Sequence, residues 1–184
     1  MRRRLFLTGP MGCGKSTAID RALSEALPRC GGFRTRRETG PEGHALRFFL
    51  ESPDGHFRET FLEIASGKPE VNMAVFSGPA IAMLKGSCLV LDEIGGVELL
   101  CPEFMAALET TLESGVPILG VMKGEGPAGA LVKALGLTGE YEAAALRLRQ
   151  WMAQDENTLL YPCGQFDETA LSLALLWAKE YANA

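Results

Sequence analysis

The 184-residue chain lacks the features that mark membrane, secreted and polyanion-binding proteins. No apolar run approaches the roughly 20 residues needed to cross a bilayer, and the apolar stretch at 5–7 is too short for a secretory segment. The cysteines number five, none is in C-x-x-C spacing, and neither histidine lies beside one. This argues against a disulfide framework and against a zinc site. A formal net charge of −5 makes it unfavourable to hold DNA or RNA by bulk electrostatics. We expect a cytoplasmic protein that has reduced thiols and does not contact a membrane. The sequence gives no strong signal of nucleic-acid binding.

The composition is that of an ordinary globular protein, with 47% hydrophobic and 22% charged residues. The length suits one α/β domain with a substantial core. The sequence has no internal repeat, no low-complexity segment and no interdomain linker. We therefore predict a single domain over residues 1–184, and the sequence identifies no protein partner.

A glycine-rich segment at 9–16 matches the pattern G-x-x-x-x-G-K-[ST] without a mismatch. An apolar run at 5–7 supplies a strand before it, and a helix-favouring stretch at 16–27 follows. Glycines let backbone N–H groups curl around phosphate oxygens, and the helix N-terminus adds a favourable field. Lys15 is placed to reach the β- and γ-phosphates, and the Ser16 hydroxyl to ligate Mg²⁺. The sequence therefore predicts a nucleoside triphosphate site with the loop residues Gly9, Pro10, Met11, Gly12, Cys13, Gly14, Lys15, Ser16 and Thr17.

A second informative segment is the apolar run at 88–91, which shows no alternation and ends in Asp92 and Glu93. Such a run is typical of a strand covered on both faces. Parallel sheets bind ligands outside the carboxyl ends of their strands, so Asp92 and Ser16 should converge on the metal. Glu93 can then polarise a water for attack on the γ-phosphate. An acidic helix start or turn is the plain alternative, but an acid pair after a buried strand is costly without a cation.

The remaining patterns alternate between strands and helices, which predicts an α/β fold with a three-layer, mostly parallel sheet and helices on both faces. A Ser-Pro-Asp-Gly turn at 52–55 joins two short strands and predicts an appended β-hairpin. The further strands are predicted at 32–37, 45–50, 56–61, 116–122 and 158–161. The further helices are predicted at 73–85 (interrupted at 78–79), 102–114, 128–135, 140–154 and 167–182.

Three segments together resemble the nucleoside-triphosphatase family of small P-loop NTPases, the cancer-related nucleoside triphosphatase-like proteins. They are FLTGPMGCGKS at 6–16, GFRT at 32–35 and VLDEIGGVEL at 90–99, and GVPILG at 115–120 sits at the family's next strand. The resemblance covers residues 3–122. It implies a RecA-like fold, catalytic roles for Glu93 and Lys15, and Mg²⁺-dependent hydrolysis of ATP, GTP, CTP and UTP to diphosphates.

The chain departs from that family at several places. Arginines stand at 36 and 37 where acidic residues are usual, and Gly96 stands where a lysine is common. The C-terminal third matches poorly, and the segment 140–154 reads as extra material. Base recognition is therefore less defined than triphosphate binding.

Several residues keep two interpretations. Phe33 either stacks on a nucleobase or belongs to the core. Among Arg34, Arg36 and Arg37, strand alternation puts the first two on one face, and one arginine acts as an internal arginine finger or all three form a solvated edge. Glu98 orients the active-site loop or caps its segment, and Lys123 is a γ-phosphate sensor or a surface lysine.

The function predicted from the sequence is Mg²⁺-dependent hydrolysis of nucleoside triphosphates with broad base specificity. A nucleotide or nucleoside kinase is one alternative, which would need a lid within 126–149, where Arg147 and Arg149 are the available arginines. A binding switch with negligible turnover is the other, and Glu93 argues against it because a switch does not require a water-activating acid.

Overall fold

A computed structural model describes residues 1–39, 45–123, 132–133, 135–165 and 167–182. The helix predicted at 128–135 lies mostly outside these ranges. The strands are β1 (Arg4–Thr8), β2 (Gly31–Thr39), β3 (Ala45–Glu51), β4 (Arg58–Ala65), β5 (Lys68–Val71), β6 (Leu89–Ile94), β7 (Ile118–Met122) and β8 (Thr158–Pro162). The α-helices are α1 (Lys15–Leu23), α2 (Ile81–Met83), α3 (Pro102–Glu113), α4 (Thr138–Gln154) and α5 (Glu168–Tyr181). Short 3₁₀ turns occur at Leu27–Arg29 and Val97–Leu100, and a π-turn at Phe76–Ala80.

The described strands form one eight-stranded sheet in the order β5-β4-β3-β2-β6-β7-β1-β8. The five strands from β2 to β8 in this order pair in parallel, and β3, β4 and β5 extend the sheet in antiparallel pairing. The predicted α/β fold with its appended hairpin is thus confirmed. The edge strand β5 was not predicted, because its four residues include Pro69 and show no clear period.

The central strands are buried on both faces. In β1, Leu5 and Leu7 point into a core that includes residues of α1 and α5, while Phe6 points into a second core that includes residues of α3 and α4. Gly120 on the neighbouring β7 leaves room for this aromatic ring, since a Cβ at that position would lie 2.6 Å from it. Because alternate residues of β1 pack into the two cores, the sheet lies between two helical layers. A functional site is therefore expected at the ends of the strands.

Strand β2 changes partner along its length. Its first three residues pair in parallel with β6, and from Arg34 onward it pairs in antiparallel with β3. The hairpin extension therefore begins at the level where the buried strand β6 reaches its acidic residues. The interruption predicted at 78–79 is also present, since Pro79 lies inside the π-turn that precedes α2. In the described part of the chain, no helix is both long and apolar enough to cross a bilayer.

Candidate active site

The glycine-rich loop connects β1 to α1, as predicted. Gly9 has a φ of 139°, and a Cβ there would lie 2.5 Å from the carbonyl oxygen of Cys163, so a larger residue is excluded. Gly14, with a φ of 98°, occupies the N-cap of α1 in a left-handed conformation that favours glycine. These two residues bend the chain so that the loop passes over the N-terminus of the helix, the geometry that suits an anion.

Lys15 points back into the loop rather than out to solvent. Its ammonium donates to the carbonyl oxygens of Gly9, at 3.0 Å, and of Pro10, at 2.7 Å. Met11 at the tip is 68% exposed, whereas Cys13 is buried beneath the loop. The structure therefore holds a positive charge at the centre of the loop, where the sequence predicts the phosphates.

Ser16 and Asp92 meet across the sheet edge, although 76 positions separate them. The Ser16 hydroxyl donates to Oδ1 of Asp92 at 3.0 Å. The predicted convergence of the start of α1 with the end of β6 is confirmed. Thr17 follows on the exposed side of the first helical turn.

Asp92 is 1% exposed. Burial first, and the neighbouring Glu93 carboxylate second, raise the pKa of Asp92 to about 6. Among the described residues, no lysine or arginine forms an ion pair with this carboxylate. A buried carboxylate in this setting is stabilised by binding a cation.

A β-bulge separates the directions of the two acids. Leu91 pairs with Gly120 and Ile94 with Met122, so β6 contains one more residue than β7 over this interval. Glu93 has a φ of 66°, which is uncommon for a residue with a side chain. Its side chain is 33% exposed and lies 3.8 Å from Nζ of Lys123. The bulge thus turns Glu93 away from its buried neighbour, an arrangement common beside active sites.

A hydrogen-bond network fixes the loop that follows the bulge. Oε1 of Glu98 accepts the backbone N–H groups of Gly95, at 2.6 Å, and Gly96, at 2.7 Å. The Tyr141 hydroxyl, from α4, donates to the Gly95 carbonyl at 2.7 Å. The structure therefore shows that Glu98 organises this loop. Tyr141 was missed by sequence reasoning, because no local pattern relates a helix at 138–154 to a loop at 95–98.

Thr35 provides a further support that sequence reasoning missed. Its hydroxyl, on β2, donates to the backbone carbonyl of Asp92 at 3.1 Å. The bond lies where β2 has just left its parallel pairing with β6. Because β2 and β7 lie on either side of β6, this bond supports the bulge from the β2 side.

Phe33 is in the core rather than facing the loop. It is 2% exposed, and its ring centroid lies 5.9 Å from that of Phe104 on α3. In this position the ring cannot stack on a base, and the predicted nucleotide contact of Phe33 is not supported. An aromatic residue at a strand start matches a core position equally well, which is why the sequence could not separate the two.

The three arginines of β2 have different partners. Arg34 and Arg36 both form ion pairs with Asp20 on α1, whereas the Arg37 guanidinium contacts the sulfur of Met11 at 3.6 Å. Arg34 is 7% exposed, and its Nε is buried with no hydrogen-bond partner among the described residues. Arg34 is therefore not part of a solvated edge.

Comparisons with known proteins agree with this architecture. A model of the NTPase family matches residues 4–151. The cancer-related nucleoside-triphosphatase homolog of Mus musculus is 32% identical over 146 residues, covering 66% of this chain and 76% of that protein. The nucleoside-triphosphatase THEP1 of Methanosarcina acetivorans is 30% identical over 133 residues, covering 65% and 75%.

A solved structure is also similar. The crystal structure of THEP1 from the hyperthermophile Aquifex aeolicus superposes with a TM-score of 0.61 at 18% identity, covering 94% of this chain and 97% of that one. This likeness supports the fold. The family match also extends through most of α4, so the expected limit of the resemblance at residue 122 was too early.

Proposed function

Because this chain belongs to the NTPase family, we propose that it hydrolyses the β–γ phosphoanhydride of nucleoside triphosphates, with Mg²⁺ as cofactor and with little discrimination between bases. The observation that carries the proposal is the bulge in β6. It leaves Asp92 beside Ser16 and turns Glu93 outward at the edge of the sheet that carries the P-loop.

The phosphate-binding role rests on Lys15 and the loop backbone. The ammonium already lies at the centre of the loop, held by the Gly9 and Pro10 carbonyls. Triphosphate oxygens carry full negative charge, so they compete effectively with neutral carbonyls for this cation. In phosphoryl transfer most of the catalytic work is positioning and stabilisation of charge on the transferring group, and Lys15 is placed for it.

The residues at the start of α1 and the end of β6 fit a magnesium ion. Ser16 and Asp92 offer a hydroxyl and a carboxylate oxygen 3.0 Å apart, and hard oxygen donors are what Mg²⁺ prefers. No cluster of three or more His, Cys, Asp or Glu suited to a metal occurs among the described residues. That suits Mg²⁺, which is usually bound by one or two protein groups together with phosphates and water. When bound, the ion would neutralise charge on the phosphates.

Glu93 is the group we assign as general base. It accepts a proton from water as the water oxygen bonds to the γ-phosphorus, and the bond to the bridging oxygen breaks to release the diphosphate. The 33% exposed Glu93 side chain can reach solvent, whereas the buried Asp92 cannot. The bulge therefore gives two adjacent acids different directions, so that Asp92 is placed to bind metal and Glu93 to activate water.

The proposed broad base specificity is supported by the kinds of group that the described residues bring to the site. The described residues at the loop and the bulge offer charges and polar groups suited to phosphates and metal. Phe33, the aromatic residue proposed to read the base, packs on Phe104 instead. With phosphates and metal supplying the contacts, ATP, GTP, CTP and UTP should be used at similar rates.

The decisive test is phosphate release from each of the four triphosphates, measured with and without Mg²⁺. The same reactions are repeated with nucleosides and nucleoside monophosphates as added acceptors. Equal amounts of diphosphate and phosphate, unchanged by the acceptors, are expected. Faster phosphorylation of an acceptor would instead assign a kinase, and tight binding without phosphate release would assign a switch.

A further inference from the structure

Lys123 occupies a distinctive place in the topology. Strand β7 lies between β1, which leads into the P-loop, and β6, which ends at the acid pair. Lys123 directly follows β7, so it emerges between these two parts of the site. Its backbone N–H donates to the Ile94 carbonyl at 2.8 Å, and its own carbonyl accepts from Arg149 of α4 at 3.4 Å. Hydrogen bonds to β6 and α4 thus hold the main chain of Lys123 in place.

The side chain of Lys123 turns toward Glu93. Nζ lies 3.8 Å from Oε2 of Glu93, and the two side chains are 25% and 33% exposed. Gly96 leaves the space that this orientation requires. A Cβ on Gly96 would lie 2.8 Å from Nζ of Lys123 and 2.8 Å from Oε2 of Glu98. The ammonium therefore occupies a space that is open because residue 96 has no side chain.

From this geometry we infer that Lys123 is a positioning residue for Glu93. Its ammonium holds the Glu93 carboxylate in the direction from which the carboxylate accepts the proton of the attacking water. The inference rests on the proposed role of Glu93 as general base. Glu93 needs such a partner because a glutamate side chain has many rotamers, and a carboxylate free to rotate spends little time in a reactive orientation.

The first test separates turnover from binding. Loss of a positioning contact should lower kcat by about 10- to 100-fold. In Lys123→Met, which keeps an unbranched side chain one atom shorter and removes the charge, KM should stay within about twofold of wild type, since the phosphate contacts remain. Lys123→Arg should restore most of kcat, because a cation again reaches Glu93. Lys179→Met, on the exposed side of α5, is the matched control and should leave turnover unchanged.

The second test is a double-mutant cycle with Glu93→Gln. If Lys123 acts through the carboxylate, Lys123→Met should change the residual rate of Glu93→Gln by less than about twofold. A further 10-fold loss or more in that background would show that Lys123 acts on the phosphates directly, and would overturn the inference. So would a wild-type kcat in Lys123→Met alone.

The outcomes distinguish this inference from the proposed function. If Glu93→Gln hydrolyses at the wild-type rate, the base assignment fails and the positioning role fails with it. If Glu93→Gln is inactive but Lys123→Met is fully active, the positioning role alone is wrong. Thermal unfolding of each variant checks the fold, and Lys123→Gln replaces Lys123→Met in the same cycle should the methionine variant not fold.

Discussion

The Ser16 hydroxyl donates to Oδ1 of Asp92 at 3.0 Å, joining the first turn of α1 to the last residues of β6. The helix α1 follows β1, and β7 lies between β1 and β6 in the sheet, so the bond connects parts of the chain that no strand pairing joins. It defines a small polar site between a helix N-terminus and a buried carboxylate.

Replacing Asp92 by Asn should separate stability from function. The pKa of Asp92 is raised to about 6 by burial, so the folded protein binds this proton more tightly than the unfolded chain does. In wild type, stability contributed by this group is present below about pH 4 and is lost as pH rises through 6. Asp92→Asn should therefore be more stable than wild type at pH 7 in EDTA, by about 1–3 kcal/mol, while Mg²⁺-dependent turnover is lost.

Urea unfolding in EDTA at pH 7 and pH 4 measures the Asp92 effect. The advantage of the variant should shrink at the lower pH, where wild type is protonated. A variant less stable than wild type at pH 7, or one that keeps Mg²⁺-dependent turnover, would contradict the assignment.

Replacing Lys15 by Ala should abolish detectable turnover and leave the unfolding midpoint unchanged. The ammonium contacts loop carbonyls that solvent can satisfy, so the fold does not depend on it. Phosphate release and thermal unfolding are compared with those of Lys179→Ala. Turnover at the wild-type rate would mean that the glycine-rich loop does not bind the triphosphate.

Replacing Tyr141 by Phe should weaken the loop that supports Glu93. The Tyr141 hydroxyl donates to the Gly95 carbonyl in a buried position, and its loss should cost about 1 kcal/mol of stability. The rate of hydrolysis should fall several-fold with little change in nucleotide affinity. Tyr181→Phe, which removes a hydrogen bond from an exposed hydroxyl to Met1, is the control and should change neither. Equal effects of the two substitutions would argue against a role for the loop.

Asp155 should stabilise the end of the sheet where β1 and β8 begin, away from the P-loop. Its carboxylate accepts a hydrogen bond from Nη2 of the buried Arg4, at 2.6 Å. Although burial acts to raise the pKa of Asp155, hydrogen bonds from Thr158 and Arg4 hold it below its usual range. Its contribution is therefore present above about pH 4 and lost as pH falls through the lowered folded-state pKa.

Asp155→Ala leaves the Arg4 charge buried without its partner and should cost about 3 kcal/mol at pH 7. Unfolding curves at pH 7 and pH 3 check this, and the difference from wild type should be smaller at pH 3. Glu180→Gln, which removes an exposed ion pair with the N-terminus, should leave the midpoint unchanged. A loss of stability equal to that of the control would show that the buried pair is not needed.

Local signals in the sequence were sufficient to predict the P-loop, the hairpin and the convergence of Ser16 with Asp92. Each depends on a pattern within a few residues or on a general rule about strand ends. The bulge at Asp92 and Glu93, the Thr35 bond and the Tyr141 bond could not be predicted, because they depend on the register between distant strands and on where α4 packs. The cytoplasmic location, the metal and the base specificity stay predictions.

The role of Glu93 in activating water can be measured in a single comparison of two proteins. Single-turnover hydrolysis and equilibrium binding of ATP with Mg²⁺ are measured side by side for wild type and Glu93→Gln. The amide keeps the shape but cannot accept the proton, so the rate should fall by about 10²- to 10⁴-fold. Affinity should stay the same or rise, because a negative charge near the γ-phosphate is removed. An unchanged rate of hydrolysis in Glu93→Gln would show that Glu93 is not the general base.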